Sequence, residues 1–355
     1  MRLLTSWILS LATVSVATSA LGAAGTITTQ VLPLTSPVTY STNSSPPLET
    51  YVGYTVNFTN TGGNTINDVR FTFAASATDP AETVALFNPA ALPAGCTQTT
   101  VSSFACSKRQ LRSGESFFSQ SIVVFFRAPV KVIGGNGAGD APGTDFVSVG
   151  GQLVYAEGAS GGNPRPNSEV SWVGPTVSLG TADPVNVRSA LPQSGGKFFT
   201  GDRALTVAAD PFAASVTVPA APTYSTAELL ESDVTSNMNC TSHGNFHRCF
   251  GVDVTIPNIT FTPASGSFMT FVLRIDASNI KTGTKIGDVR IQYFDGNNTL
   301  DVGTCASATT PKPYGPCIAR AVFYKNKSVP GWTPELSGDF EWTLLNLSNG
   351  LFTLF

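Results

Sequence analysis

The only two histidines, His243 and His247, sit inside a cysteine pair and read Cys240-x2-His243-x3-His247-x-Cys249. Thiolate and imidazole are the usual zinc ligands, so the spacing outlines a four-ligand site. Zinc needs reduced thiolates, however, and in an oxidising compartment the same cysteines form a disulfide around two exposed histidines. Gly134 to Asp140, GGNGAGD, is similar to one copy of a calcium-binding Gly/Asp repeat. Asp140 and Asp145, with Glu157, offer oxygen donors for calcium, but no ligand loop is complete and a solvated turn is favoured. Gly158-Ala159-Ser160-Gly161-Gly162 has the spacing of a nucleophile elbow, which has meaning only between a strand and a helix. Here it lies in a Gly/Pro loop with no helix after it. Asp339 and Glu341 are two residues apart, which places both on one face of a strand, expected to be solvent. The expectation from these groups is no catalytic residue, no cofactor and no resident metal.

Positioning falls to strands. Tyr54, Val56 and Phe58 alternate with polar residues, as do Val69, Phe71 and Phe73. Period-two alternation marks half-buried strands, and Asn60-Thr61-Gly62-Gly63-Asn64 between them is turn chemistry. The unit reads as a β-hairpin with a long loop. Further strands are expected at Gln152 to Tyr155, Val170 to Val173 and Thr176 to Leu179. Ser119 to Val132 reads as one apolar strand halted by Pro129. Recurrent short strands from Arg203 to Leu354 predict a second sandwich. Ser225 to Val234, STAELLESDV, is the one stretch with helical character. The fold class is all-β, two β-sandwich domains after a signal peptide, at 25–192 and 193–355 with a linker at Leu191 to Gly196.

Residues 1–24 read as an export signal: Arg2, an apolar run from Leu3 to Val16, then small residues to Gly25. No later stretch is long and apolar enough to span a bilayer. Charged residues are 12% and the formal net charge is −3, which argues against nucleic acid and against an electrostatic membrane surface as partner. The six cysteines fall into local pairs, Cys96 with Cys106, Cys240 with Cys249 and Cys305 with Cys317. Sequence alone leaves other pairings open; export and proximity favour the local ones as disulfides. Seven Asn-x-Ser/Thr triplets, at Asn43, Asn57, Asn239, Asn258, Asn297, Asn326 and Asn346, would mark glycosylation in a eukaryote.

One region resembles a known family. The two alternating runs are followed by LPAGC (Leu92 to Cys96), FACS (Phe104 to Ser107), LRSGES (Leu111 to Ser116) and an apolar strand ending in RAP (Arg127 to Pro129). Over residues 38–132 this order resembles the conserved-repeat domain of bacterial and archaeal surface proteins, domain-of-unknown-function family eleven. The resemblance implies an immunoglobulin-like sandwich in a secreted or surface-exposed protein, with no assigned catalytic residues. The chain has no second clear copy of the repeat.

The function expected from all of this is a secreted, surface-associated or periplasmic interaction protein without enzymatic activity. Its partner would be a cell-surface or extracellular protein or glycan. A carbohydrate-binding module is the first alternative, with Trp172, Tyr155, Trp332 or Tyr314 as exposed stacking residues. A secreted hydrolase is the second.

Overall fold

The computed structural model describes residues 27–38, 41–42, 50–79, 83–128, 130–131, 146–157, 168–179, 186–200, 211–235, 240, 244–259, 261, 267–312, 315–324 and 339–355. Its strands in the first half are β1 (Ile27–Pro33), β2 (Ser41–Thr42), β3 (Tyr51–Asn60), β4 (Ile66–Ala77), β5 (Ala85–Leu86), β6 (Cys96–Thr100), β7 (Ser103–Leu111), β8 (Ile122–Arg127), β9 (Val130–Lys131), β10 (Phe146–Glu157), β11 (Ser168–Val173) and β12 (Val177–Ser178). They form one sheet in the order β1-β3-β8-β5 and a second in the order β11-β10-β4-β7-β6, with β12 also on β10. A short parallel pair, β2 with β9, lies apart from both.

The two alternating runs are strands, but they are not a hairpin. β3 pairs with β1 and β8, whereas β4 pairs with β10 and β7 in the opposite sheet. The chain arches from one sheet to the other between Asn60 and Ile66. Asn60 builds the arch: its amide donates to Asn64 O at 2.8 Å and to Leu111 O at 3.1 Å, and its Oδ1 accepts from Gly62 N. Each run carries bulky aromatics on one face. Packing those faces against each other removes more apolar surface from water than lying side by side in one sheet. Phe58 meets Phe71 at 4.5 Å between ring centroids, and Tyr54 meets Phe73 at 6.1 Å. The expected single strand from Ser119 to Val132 is likewise divided into β8 and β9.

The second half supplies β13 (Asn186–Leu191), β14 (Gly196–Phe199), β15 (Phe212–Val218), β16 (Ser225–Asp233), β17 (Phe250–Thr255), β18 (Met269–Ile275), β19 (Ile291–Phe294), β20 (Thr299–Asp301), β21 (Cys317–Phe323), β22 (Phe340–Asn346) and β23 (Gly350–Leu354). One sheet runs β13-β16-β17-β23-β19-β20 and its partner β14-β15-β18-β22-β21. The strand β23 is wedged between β17 and β19. Each half thus packs one pair of sheets around its own apolar cluster, and the described chain is all-β. No helix among the described residues is long and apolar enough to cross a membrane.

Two expectations change here. The stretch from Ser225 to Val234 is not a helix: Ser225–Asp233 is the strand β16. Ala227, Leu229 and Glu231 point inwards with period two, while Glu228 pairs with Arg188 on the outer face. Helix-favouring Ala, Leu and Glu yield to pairing on both sides, with β13 and β17. The linker expected at Leu191 to Gly196 is a tight turn inside the second pair of sheets, closed by Gly195 N to Pro192 O at 3.0 Å. The strand just before it, β13, pairs with β16, so the two pairs of sheets part between Leu179 and Asn186.

Candidate functional site

The two sandwiches meet on a strand that serves both. Along β3, Val52, Tyr54, Val56 and Phe58 face the first core, and the preceding Tyr51 belongs to the second. Opposite faces of a strand are reached by adjacent residues, so one strand is a wall of two cores. Gly53 follows on the outer face because nothing larger fits. A Cβ there would lie 2.7 Å from Leu34 Cδ1 and 2.9 Å from Ala190 Cβ. The Tyr51 backbone N–H donates to Ser189 Oγ at 2.7 Å, and Leu34, Phe87 and Phe125 of the first sandwich pack on the second core.

Where this seam opens to solvent it leaves a cleft of ≈ 290 Å³. One wall is the turn after β5, with Phe87, Asn88 and Leu92; the floor is β8 at Val123 and Phe125. The facing wall comes from the other sandwich, through Gln193, Ser194 and Tyr224. The first wall is held by local bonds. Asn88 takes a left-handed conformation (φ 48°) and opens a 3-10 turn over Pro89–Ala91, with Ala91 N bonded to Asn88 O. The Cys96–Cys106 disulfide and the bond from Ser107 N to Gly95 O fasten the end of that loop to β7. On the other wall, Gly195 (φ 79°) has no room for a side chain, since a Cβ would sit 2.2 Å from Val218 O. Gln193 donates its amide to Pro222 O at 3.0 Å and accepts Ala221 N on its backbone carbonyl. Phe125 and Tyr224 stand edge to face across the seam, 6.5 Å apart. Among the described residues the lining contains no carboxylate, amine, guanidinium, imidazole or thiol.

A second polar cluster lies on the outer side of the sheet that holds β18 and β22. Arg274 and Asp339 form a fully buried ion pair, Nη2 to Oδ2 at 2.5 Å. Asp339 Oδ1 accepts Ala277 N, and Tyr324 donates its hydroxyl to Glu341 Oε1 at 2.8 Å. The solvent face expected for Asp339 and Glu341 is therefore corrected: both are buried, at 0% and 7% exposure. They share a face, as alternation requires, but that face is covered and carries its own counter-charge in Arg274. Burial pushes the Asp339 carboxyl above its usual range, opposed by the Arg274 charge. Burial pulls Arg274 down, opposed by Asp339 and then Glu341. Burial, then the bond to Glu341, pushes Tyr324 up to about 12. An ion pair buried in this way holds structure in place.

The remaining sequence candidates separate clearly. The disulfides Cys96–Cys106, Cys240–Cys249 and Cys305–Cys317 all form. The first joins directly opposed residues of β6 and β7. Bonding between Cys240 and Cys249 takes both thiolates from the zinc arrangement. His247 remains, its backbone N–H bonded to Asn279 O, while His243 lies outside the described residues. Asp140, Asp145, Gly158 to Gly162, Trp332 and Tyr314 also lie outside them. Of the stacking candidates, Trp172 and Tyr155 are each 3% exposed and sit in the first core, where Trp172 donates Nε1–H to Thr72 O. Asn57 and Asn346 are buried with their amides bonded to backbone, whereas Asn258 and Asn297 are exposed in turns. Sequence reasoning missed Phe125, Tyr224 and Asn88. The only signals were an apolar residue at an outward position of β8 and an aromatic beside a Pro-rich turn.

No protein-family model matches the chain, and no curated protein matches it. Among solved structures, the sporulation control protein Spo0M from Bacillus subtilis aligns at 9% identity over 78% of this chain and 89% of its own, with a TM-score of 0.16. The described residues form an all-β fold of packed antiparallel sheets cross-linked by three disulfides.

Proposed function

We propose that the chain is an exported, non-enzymatic interaction protein, surface-associated or periplasmic, that binds its partner in the cleft between its two sandwiches. The lining of that cleft carries the reading. Among its described residues it combines aromatic carbon with amide and hydroxyl groups, contributed by both sandwiches, and has no group suited to moving a proton near neutral pH or to activating its serine hydroxyls. Three short-range disulfides support export, because such bridges form and persist in oxidising compartments. The order of motifs over residues 38–132, with its resemblance to surface-protein repeats, supports the same location.

The test is fractionation of source cells in the presence of an alkylating reagent that traps free thiols before lysis. The protein is expected outside the cytoplasm with all six cysteines protected until reduction. Cytoplasmic protein with alkylated Cys240 and Cys249 would end the export reading.

A further inference from the structure

We propose that the seam cleft takes a neutral sugar ring, as one unit of an uncharged glycan. This rests on the cleft being the binding site. Three properties of the lining select the ligand class. The first is the absence of charge among the described lining residues; the Arg127 guanidinium lies over the Phe87 ring at 5.6 Å but does not line the cleft. A ligand carboxylate, phosphate or ammonium would leave water without a counter-ion among Phe87, Phe125, Tyr224, Asn88, Gln193 and Ser194, which is strongly unfavourable. The second is the polar rim. Asn, Gln and Ser side chains donate and accept, so a purely apolar ligand would strip water from them with no replacement bonds. A sugar ring fits both conditions: one face is C–H and the edge is hydroxyls that also donate and accept. A proline-rich segment stacks on aromatics too, but its prolyl carbonyls only accept and would leave the acceptors of the rim unmatched. The third is shape. Tyr224 is 40% exposed and meets Phe125 at an interplanar angle of 66°, so the rings form a corner. A pyranose laid on the Tyr224 face has its edge towards Phe125 and its hydroxyls towards the rim. The volume, ≈ 290 Å³, is at the small end of ligand pockets, room for a small ring system rather than a folded partner.

The experiment uses the full mature chain in calorimetric titrations with three probes: a panel of neutral oligosaccharides (cellobiose, maltose, xylobiose and N,N′-diacetylchitobiose), an acidic oligosaccharide (digalacturonate) and a proline-rich decapeptide. A neutral oligosaccharide is expected to bind, and Tyr224→Ala to weaken it at least about tenfold, as for a central aromatic anchor. Tyr224→Phe keeps the ring and should stay within about threefold of the parent. Because Tyr224→Ala also touches the seam, Gln193→Ala provides a second, milder variant, with a loss of about threefold to tenfold expected from one hydrogen bond. Binding of the peptide or the acidic sugar alone, abolished by Tyr224→Ala, overturns the sugar assignment and leaves the cleft as the site. Neutral-sugar binding that ignores both variants places the site elsewhere and overturns both. Absence of binding by every neutral sugar overturns the proposal.

Discussion

Ser189 Oγ accepts the backbone N–H of Tyr51 at 2.7 Å, a bond between β3 of the first sandwich and β13 of the second. Ser189 in turn donates to the carbonyl of Ala190, so its hydroxyl has a fixed direction. The bond is buried, and it fixes the height of β3 against β13. Ser189→Ala removes the acceptor without adding bulk. The expected cost is about 1–3 kcal/mol, the range for taking one partner from a buried hydrogen bond. Urea denaturation of the parent and the variant measures it, and an unchanged midpoint would show the seam contributes little to stability.

The position of β13 predicts where the chain can be divided. A break at 192/193 strands β13 with the first fragment and strips the edge from the sheet that β16 needs. A break within 180–185 leaves every described strand of each pair of sheets with its partners. Fragments divided there are expected to give cooperative melts when mixed, whereas fragments divided at 192/193 should leave the C-terminal piece protease-sensitive. Equal behaviour of the two divisions would contradict the assignment of β13.

The Arg274–Asp339 pair predicts an asymmetry between single and double substitution. Asp339→Ala leaves a buried guanidinium without its closest counter-charge and should cost about 3–5 kcal/mol. Replacing both, as Arg274→Met with Asp339→Leu, removes the desolvation burden together with the attraction. The double variant is therefore expected to be more stable than Asp339→Ala. Thermal melts of the three proteins decide it, and a double variant worse than the single would assign the pair a net stabilising role.

Tyr324 predicts behaviour in alkali. Its hydroxyl is raised from the ordinary value of 10.0 to about 12 by burial first and by Glu341 second. A folded-state value above the unfolded one means the folded chain holds the proton more tightly. The contribution is therefore complete below pH 10.0 and is lost as pH rises towards about 12. Tyr324→Phe should flatten the fall of melting temperature across that window, while lowering stability at neutral pH because Phe cannot donate to Glu341. Parallel slopes for the two proteins would sink this account.

The strands were legible in the sequence because alternation reports a strand and its buried face. Their partners were not. Tyr54 to Phe58 and Val69 to Phe73 look like the arms of a hairpin in one dimension, and only Asn60, by bonding Asn64 and Leu111, turns the connection into an arch. Ala227, Leu229 and Glu231 fit a strand as well as a helix, and the decision came from β13 and β17 on either side. Asp339 and Glu341 were placed correctly on one face, but no sequence pattern says whether an outer face is covered. The cleft was invisible for the same reason. Its residues come from turns far apart in the chain, and each looks ordinary in its own neighbourhood. The cysteines were the clearest signal, since each bridge spans a short separation.

The wedged strand β23 sets the order in which the second sandwich can mature. Its neighbours β17 and β19 are both synthesised earlier, yet their facing edges must stay apart until Gly350–Leu354 arrives to bond with each. While the chain is being synthesised those two edges are open templates for any extended chain, including another copy. Closing the sheet therefore waits for a late segment, the long-range pairing that makes β-rich chains slow to fold. The hazard is greatest in the interval between emergence of β19 and arrival of β23, so this is the interval in which a holding chaperone has the most to shield.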